Sequence, residues 1–341
     1  MYNLDIKNID LNDSNEKHQV EAFLEKFNLI LDSDIECTFV AKFNDEIVGT
    51  CSSSGNVLKC FAVDGDLQGE GIASKLITHI TNLLFDKGIY ETFIFTKPKN
   101  ITIFKGMGYY EVYSTGEVSL LEGGMANVKR YVESMLKKNG LGNGKKAALV
   151  MNCNPFTLGH RYLIETASKE NDEVVVFVVE EDKSIFPFKA RFQLVKKGVE
   201  GLKNVHVVPG GHYIISSNTF PSYFLKREDE RLSAYTMLDA GIFGKYIAPV
   251  FNIVKRYVGT EPYCPMTNSY NAALNEILPG YGVEVRLIPR LEIDGVAVSA
   301  STVRNLIKDG EMEKVRSFVP ETTYEFLVSD EANDIMDRLR K

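Results

Sequence analysis

The stretch KAALVMNCNPFTLGHRYLIETA, from Lys146 to Ala167, constrains the fold more than any other part of the chain. Its first apolar run, AALVM, is too short for a helix and has no polar alternation, which is the pattern of a parallel strand buried on both faces. That run is followed by a turn holding Asn154, Thr157 and His160, and by a helix that continues through Tyr162, Leu163, Thr166 and Ala167. A strand running straight into a helix presents the helix's unpaired N–H groups and positive dipole end at the strand's carboxyl terminus, where a phosphate can be held. Asn154, Thr157 and His160 are therefore candidate phosphate-site residues. The next apolar run, DEVVVFVVEED, supplies a second buried strand and completes a βαβ unit.

This unit begins just after a compositional break. Residues 126–144 combine a helical stretch with the glycine-rich NGLGNG, so the chain divides into a first domain at 1–125, a linker at 126–144 and a second domain at 145–341. A length of 341 residues fits two cores better than one. The opening residues lack the basic and apolar regions of a leader, and no apolar run is long enough to span a bilayer, which points to a cytoplasmic protein without a membrane partner. Five scattered cysteines without CxxC spacing argue against disulfides and zinc, and no metal-ligand spacing stands out. A net charge of -7 disfavours nucleic acid as a partner. Asp32, Asp34 and the pair Glu180–Glu181 read as exposed charge.

In the first domain, CTFVAKFNDEIVGTCSSSGNVLKCFAV reads as antiparallel strands turned at Asn44–Asp45. Gln68, Gly69, Gly71 and Ala73 then open a helix whose apolar face is Ile72, Leu76, Ile77, Ile80 and Leu84. Gln68–Ala73 together with Phe104–Tyr109 resembles the GNAT-type acetyltransferases, whose (Q/R)xxGx(G/A) loop binds the pyrophosphate of a coenzyme A arm. The resemblance implies an α+β acetyltransferase-like fold over the first third of the chain. Glu70 puts a negative charge in that loop, and no general base stands out. Tyr109 or Tyr110 could protonate a leaving thiolate, although a GYY at a strand start more often packs a core.

Thr157–His160 matches the (H/T)xGH signature of the nucleotidyltransferase superfamily, and Val298-Ser299-Ala300-Ser301-Thr302-Val303-Arg304 resembles its second signature, (I/V)SxSxxR. The resemblance implies a Rossmann-like parallel sheet and an ATP site. There His160 and Arg304 would be catalytic, while Asn154, Phe156, Thr157, Gly159, Ser299, Ser301 and Thr302 would bind ATP. Lys189 and Arg191, at the start of a helix after the second strand, are further candidates for the phosphates or an anionic acceptor. Over nearly its full length, the chain is similar to the citrate lyase ligases. Membership would imply that ATP, with Mg2+, and acetate load the thiol of the CoA-like prosthetic group on the citrate lyase acyl carrier subunit, releasing AMP and diphosphate. The front loop would then hold that CoA-like arm. Three other readings stay open: transfer of AMP to a phosphorylated small molecule, an acetyl-CoA-dependent transferase, and a non-enzymatic nucleotide sensor.

Overall fold

A computed structural model describes residues 4–67, 69–180, 183–215, 220, 223–224, 228–260 and 265–340. Contacts group the chain into two units, Met1–Tyr131 with Pro221–Ala234, and Val132–Phe220 with Tyr235–Lys341. The first unit thus includes a segment that lies in the second half of the sequence.

The strands of the first unit are β1 (Leu4–Ile9), β2 (Cys37–Phe43), β3 (Glu46–Ser54), β4 (Val57–Val63), β5 (Glu91–Thr96), β6 (Tyr110–Ser114) and β7 (Ser119–Gly124), ordered β1-β2-β3-β4-β5-β7-β6. Helices α1 (Ser14–Glu25), α2 (Ile72–Asp86) and α3 (Ile101–Lys105) accompany them. Asp13 caps α1 by accepting from the N–H groups of Asn15 and Glu16. Helix α2 buries Ile72, Leu76, Ile77, Ile80 and Leu84, the i, i+4, i+5 stripe read from the sequence, against the sheet.

One pairing in this sheet is parallel. Strands β4 and β5 pair at Val57–Phe93 and Leu58–Ile94, and the pairing goes no further. Beyond those residues the two strands run on apart, opening a gap toward their carboxyl ends. The backbone N–H of Phe93 donates to Asn56 on the β4 side. Since main-chain groups alternate sides along a strand, the carbonyl of Phe95 faces that same gap. It accepts a 2.6 Å hydrogen bond from the Tyr223 hydroxyl.

Asp32 departs from the expectation of exposed charge: it is 9% exposed, and with Asp34 it pairs to Lys59 at 3.2 and 2.8 Å. Lys59 on β4 is itself 3% exposed, and an ammonium so far out of water persists because two carboxylates offset it. Glu181 lies outside the described residues.

Helix α4 (Val128–Lys138) leads to the second unit's strands, β8 (Lys146–Met151), β9 (Val174–Val178), β10 (Val205–Pro209), β11 (Ile253–Gly259) and β12 (Glu284–Ile288). They form an all-parallel sheet of order β10-β9-β8-β11-β12. The order reverses at β8, so the crevice at its carboxyl end, toward β11, is the switch point where open α/β sheets bind ligands. Helices α5 (Leu158–Glu170) and α6 (Phe188–Gly198) cover the face carrying Ala147, Leu149, Met151, Val174 and Val176. On the opposite face Phe177 of β9 meets Phe243 of a π-helical turn at Phe243–Ile247 and Phe251 of α8 (Ala248–Phe251); α7 (Glu228–Ile242) precedes that turn and α9 (Pro265–Ile277) follows β11. The hairpin β13 (Glu292–Ile293) and β14 (Val296–Ala297) precedes α10 (Ala300–Lys308), which packs with α11 (Met312–Phe318), α12 (Glu321–Leu327) and α13 (Asn333–Arg340) around Val303, Ile307 and Leu327. Among the described residues no helix is long and apolar enough to cross a membrane.

Candidate active site

The loop leaving β8 is shaped by backbone conformations that a regular strand does not permit. Cys153 has φ 54°, the following Asn154–Pro155 bond is cis, and the Asn154 side chain accepts from the N–H of Phe186 at 3.0 Å. Thr157 then caps α5, and its pairing with His160 is reciprocal. The hydroxyl oxygen of Thr157 accepts from the His160 N–H at 3.4 Å, while the Thr157 N–H donates to Nδ1 of His160 at 3.1 Å. Nδ1 also lies 2.8 Å from the Thr157 hydroxyl.

An Nδ1 that accepts a backbone N–H leaves the ring proton on Nε2. Burial, and then the charge of Arg290, lower the His160 pKa to about 4. The imidazole is therefore neutral at physiological pH and offers one N–H. Phe156, fully buried, stacks on it with ring planes 19° apart. The Cys153 thiol, 1% exposed, is pushed up by desolvation and stays protonated, which removes it as a nucleophile.

The second signature meets the first through a glycine. A Cβ on Gly159 would lie 2.4 Å from the carbonyl oxygen of Val298, so the start of α5 packs directly on the loop before α10. Gly159 is an ATP-binding candidate by resemblance; its closest constraint in the structure is this backbone contact. Ser299 caps α10, accepting from the Thr302 N–H at 3.0 Å, and its hydroxyl lies 2.8 Å from those of Ser301 and Thr302. Arg304, half-buried, donates to the Asn154 carbonyl at 2.5 Å and so ties α10 to the β8 loop. Two helix N-termini, a neutral imidazole and a guanidinium thus converge at the switch point.

Lys189 and Arg191 part company. Lys189 is exposed at the first turn of α6. Arg191, expected to reach phosphates, is instead fully buried, and it donates to the carbonyls of Phe186, Asn152 and Val179 at 2.8 to 2.9 Å. Its planar fork braces the carboxyl ends of β8 and β9 from within, a positioning task. Arg290 was not singled out from the sequence. It follows β12, donates from Nε to the Thr260 carbonyl at 2.9 Å, and its charge is felt by His160. An arginine after a strand of no marked pattern gives no local signal; only the parallel sheet brings it there.

In the first unit, Gly69 and Gly71 adopt φ of 96° and 73°, conformations that strain any side chain. Gly71 caps α2 without a side-chain hydrogen bond, so the first-turn N–H groups of α2 remain available. With Ala73 these glycines line a cavity of about 680 Å3 that also meets Ala62 and Val63 of β4, Thr96 of β5, and Tyr223 with Phe224. The cavity occupies the gap between β4 and β5. Gln68 lies outside the described residues. Tyr109 is a core residue: it is 4% exposed, lies 2.9 Å from the Thr92 hydroxyl, and abuts Gly123 so closely that a Cβ there would be 2.5 Å from its ring. Desolvation raises its pKa, and it carries no sign of an acid–base role.

Fold and site together define an acetyltransferase-type domain joined to a parallel-sheet domain in which two helix N-termini meet at the end of the central strand. Residues 3–109 match the acetyltransferase (GNAT) family, and residues 146–327 match the citrate lyase ligase C-terminal domain. The citrate (pro-3S)-lyase ligase of Klebsiella pneumoniae is 38% identical over 93% of this chain and 94% of its own. That of Haemophilus influenzae is 37% identical over 90% and 94%, and that of Escherichia coli 34% identical over 91% and 89%. This chain belongs to the citrate lyase ligase family, and it is a ligase.

Proposed function

We propose that the second unit binds ATP at the start of α5 and α10 and joins acetate to AMP, and that the acetyl group then passes to the thiol of the citrate lyase acyl carrier subunit. The observation that carries this reading is the neutral His160, whose remaining ring proton is on Nε2, standing beside the N–H groups of two helix termini at the sheet's switch point. A donor that is not itself charged does not attract the triphosphate more strongly in the ground state. It gains most as negative charge builds on the α-phosphate oxygens, which is the differential binding that accelerates a step.

In this reading Ser299, Ser301 and Thr302 receive phosphate oxygens through hydroxyl and backbone N–H groups, while Thr157, fully buried and bonded to His160 through both its N–H and its hydroxyl, orients the imidazole. Arg304, anchored on the Asn154 carbonyl, and Lys189 supply charge to the leaving diphosphate. Arg191 and Phe156 hold the loop and the imidazole in place. Mg2+ would arrive with ATP, held by phosphate oxygens, because the donors gathered here are N–H and hydroxyl groups that suit the phosphates; when bound it neutralises charge on the β- and γ-phosphates. Acetate is already ionised at neutral pH, so its attack on the α-phosphorus needs no general base. The product is a mixed anhydride, and the carrier thiolate attacks its carbonyl carbon and expels AMP.

The cavity between β4 and β5 suits the CoA-like arm, with its phosphates at the start of α2 and the chain of the arm in the strand gap. Purified protein given Mg-ATP, acetate and the thiol-form carrier should release AMP and diphosphate in equal amounts. Release should depend on both acetate and carrier, and be lost in His160→Ala. Diphosphate without free AMP would point instead to transfer of AMP onto another acceptor, and turnover of acetyl-CoA without ATP to the acetyltransferase reading.

A further inference from the structure

On the sheet face that meets the π-helical turn is a buried arginine that neither signature uses. Arg256 lies on β11, paired with Ala148 of β8, and is 1% exposed. Its Cζ is 4.3 Å from the centroid of Phe243 in the π-helical turn. The guanidinium makes a long polar contact, Nη2 to the Tyr270 hydroxyl at 3.5 Å, while Nε and Nη1 have no hydrogen-bond partner among the described residues. A buried cation with idle donors is costly, and a partner that accepts from those donors would offset the cost. The π-helical turn beside it is a feature that recurs at functional sites.

The surroundings say which end of the sheet this group serves. Tyr270 donates to Asp239 Oδ2 at 2.5 Å, and Asp239 Oδ1 accepts the N–H of Ile215, which follows the carboxyl end of β10. Asn271, next to Tyr270, donates to the carbonyl of Gly259, the last residue of β11. The cluster therefore borders the carboxyl edge of the sheet, the edge that also carries His160, and Tyr270 is only partly buried.

We infer that Arg256, oriented by the Tyr270–Asp239 pair, is the carboxylate-binding residue of this unit, and that its ligand is a small monoanionic carboxylate. A carboxylate accepts through both oxygens along an edge of the planar guanidinium. Phosphate suits the place less well, because Asp239 lies one hydrogen bond away and opposes a second negative charge. That the carboxylate is acetate rests on the reaction proposed above; that Arg256 takes a carboxylate does not.

The test has two arms on the full-length protein. In the first, line broadening of 13C-acetate without ATP should be seen with the wild-type protein, and should weaken in Arg256→Lys and Tyr270→Phe. In the second, Arg256→Lys should raise the KM for acetate about ten-fold or more, because the fork is lost while the charge is kept, with the KM for ATP within about two-fold. Tyr270→Phe, which removes one oxygen, should raise the acetate KM alone and carries the test if Arg256→Lys does not fold. Acetate broadening unchanged in both variants, the two KM values rising together, or inorganic phosphate displacing acetate as well as propionate does would overturn the assignment. Arg256-dependent acetate binding without AMP formation would sink the reaction and keep the site. AMP formation with an unaltered acetate KM in both variants would do the reverse.

Discussion

His160 carries the heaviest burden of any single side chain in this account. Replacing it with alanine removes a preorganised donor, and kcat should fall by roughly 10²–10³-fold, as for other donors aimed at developing charge. Its protonation gives a second check. The folded-state pKa of about 4 lies below the ordinary value of 6.5, so between those values the unfolded chain holds more protons than the folded one. His160 therefore contributes its full stability above about pH 6.5, and that contribution is lost as pH falls toward 4. Chemical denaturation of the wild type and of His160→Gln across that window should show a shallower loss in the variant. Gly159 offers a test without titration. An added Cβ meets a backbone carbonyl at 2.4 Å, which cannot rotate away, so Gly159→Ala should destabilise the second unit by about 1–3 kcal/mol in thermal melts. It should also lower kcat, because the contact joins the two phosphate loops.

At the scale of elements, the parts written locally were legible in the sequence. Residues 146–160 place a strand, a turn and a helix start in one unbroken stretch, and Gln68–Ala73 places a glycine loop at the start of α2, so both loops could be found from neighbouring residues alone. What escaped was what the sheet brings together from afar. Arg191 looked like a phosphate ligand because helix starts favour anions, yet its guanidinium turns inward to three carbonyls at the ends of β8 and β9. Arg290 and Arg256 reach their places only through the strand order β8-β11-β12. Tyr223 bonds to the first unit's Phe95 from a distant part of the chain, a pairing no window of sequence reveals. The same element logic makes a prediction for the front loop. Gly71→Asp forces a side chain into φ 73° and puts a carboxylate where phosphates would approach the start of α2. It should weaken binding of the thiol-form carrier by about ten-fold or more, read by titration, while acetate-dependent exchange of labelled diphosphate into ATP continues.

For the whole molecule, each unit has a chemically distinct task in the proposed reaction: one forms an anhydride at a phosphate site, and the other holds the long arm that consumes it. The buried, protonated Cys153 matters here, since it leaves no thiol in the β8 loop to carry the acetyl group covalently. In the proposed reaction the carboxylate oxygen bonds to the α-phosphorus first, and the thiolate to the carbonyl carbon second. Turnover with doubly 18O-labelled acetate tests that order most directly. An acetyl-adenylate splits at the acyl C–O bond, so the bridging oxygen leaves with AMP, and mass spectrometry should find one 18O in the phosphate of each AMP formed. AMP without label, alongside acetylated carrier, would contradict the attack of acetate on the α-phosphorus and with it the central claim.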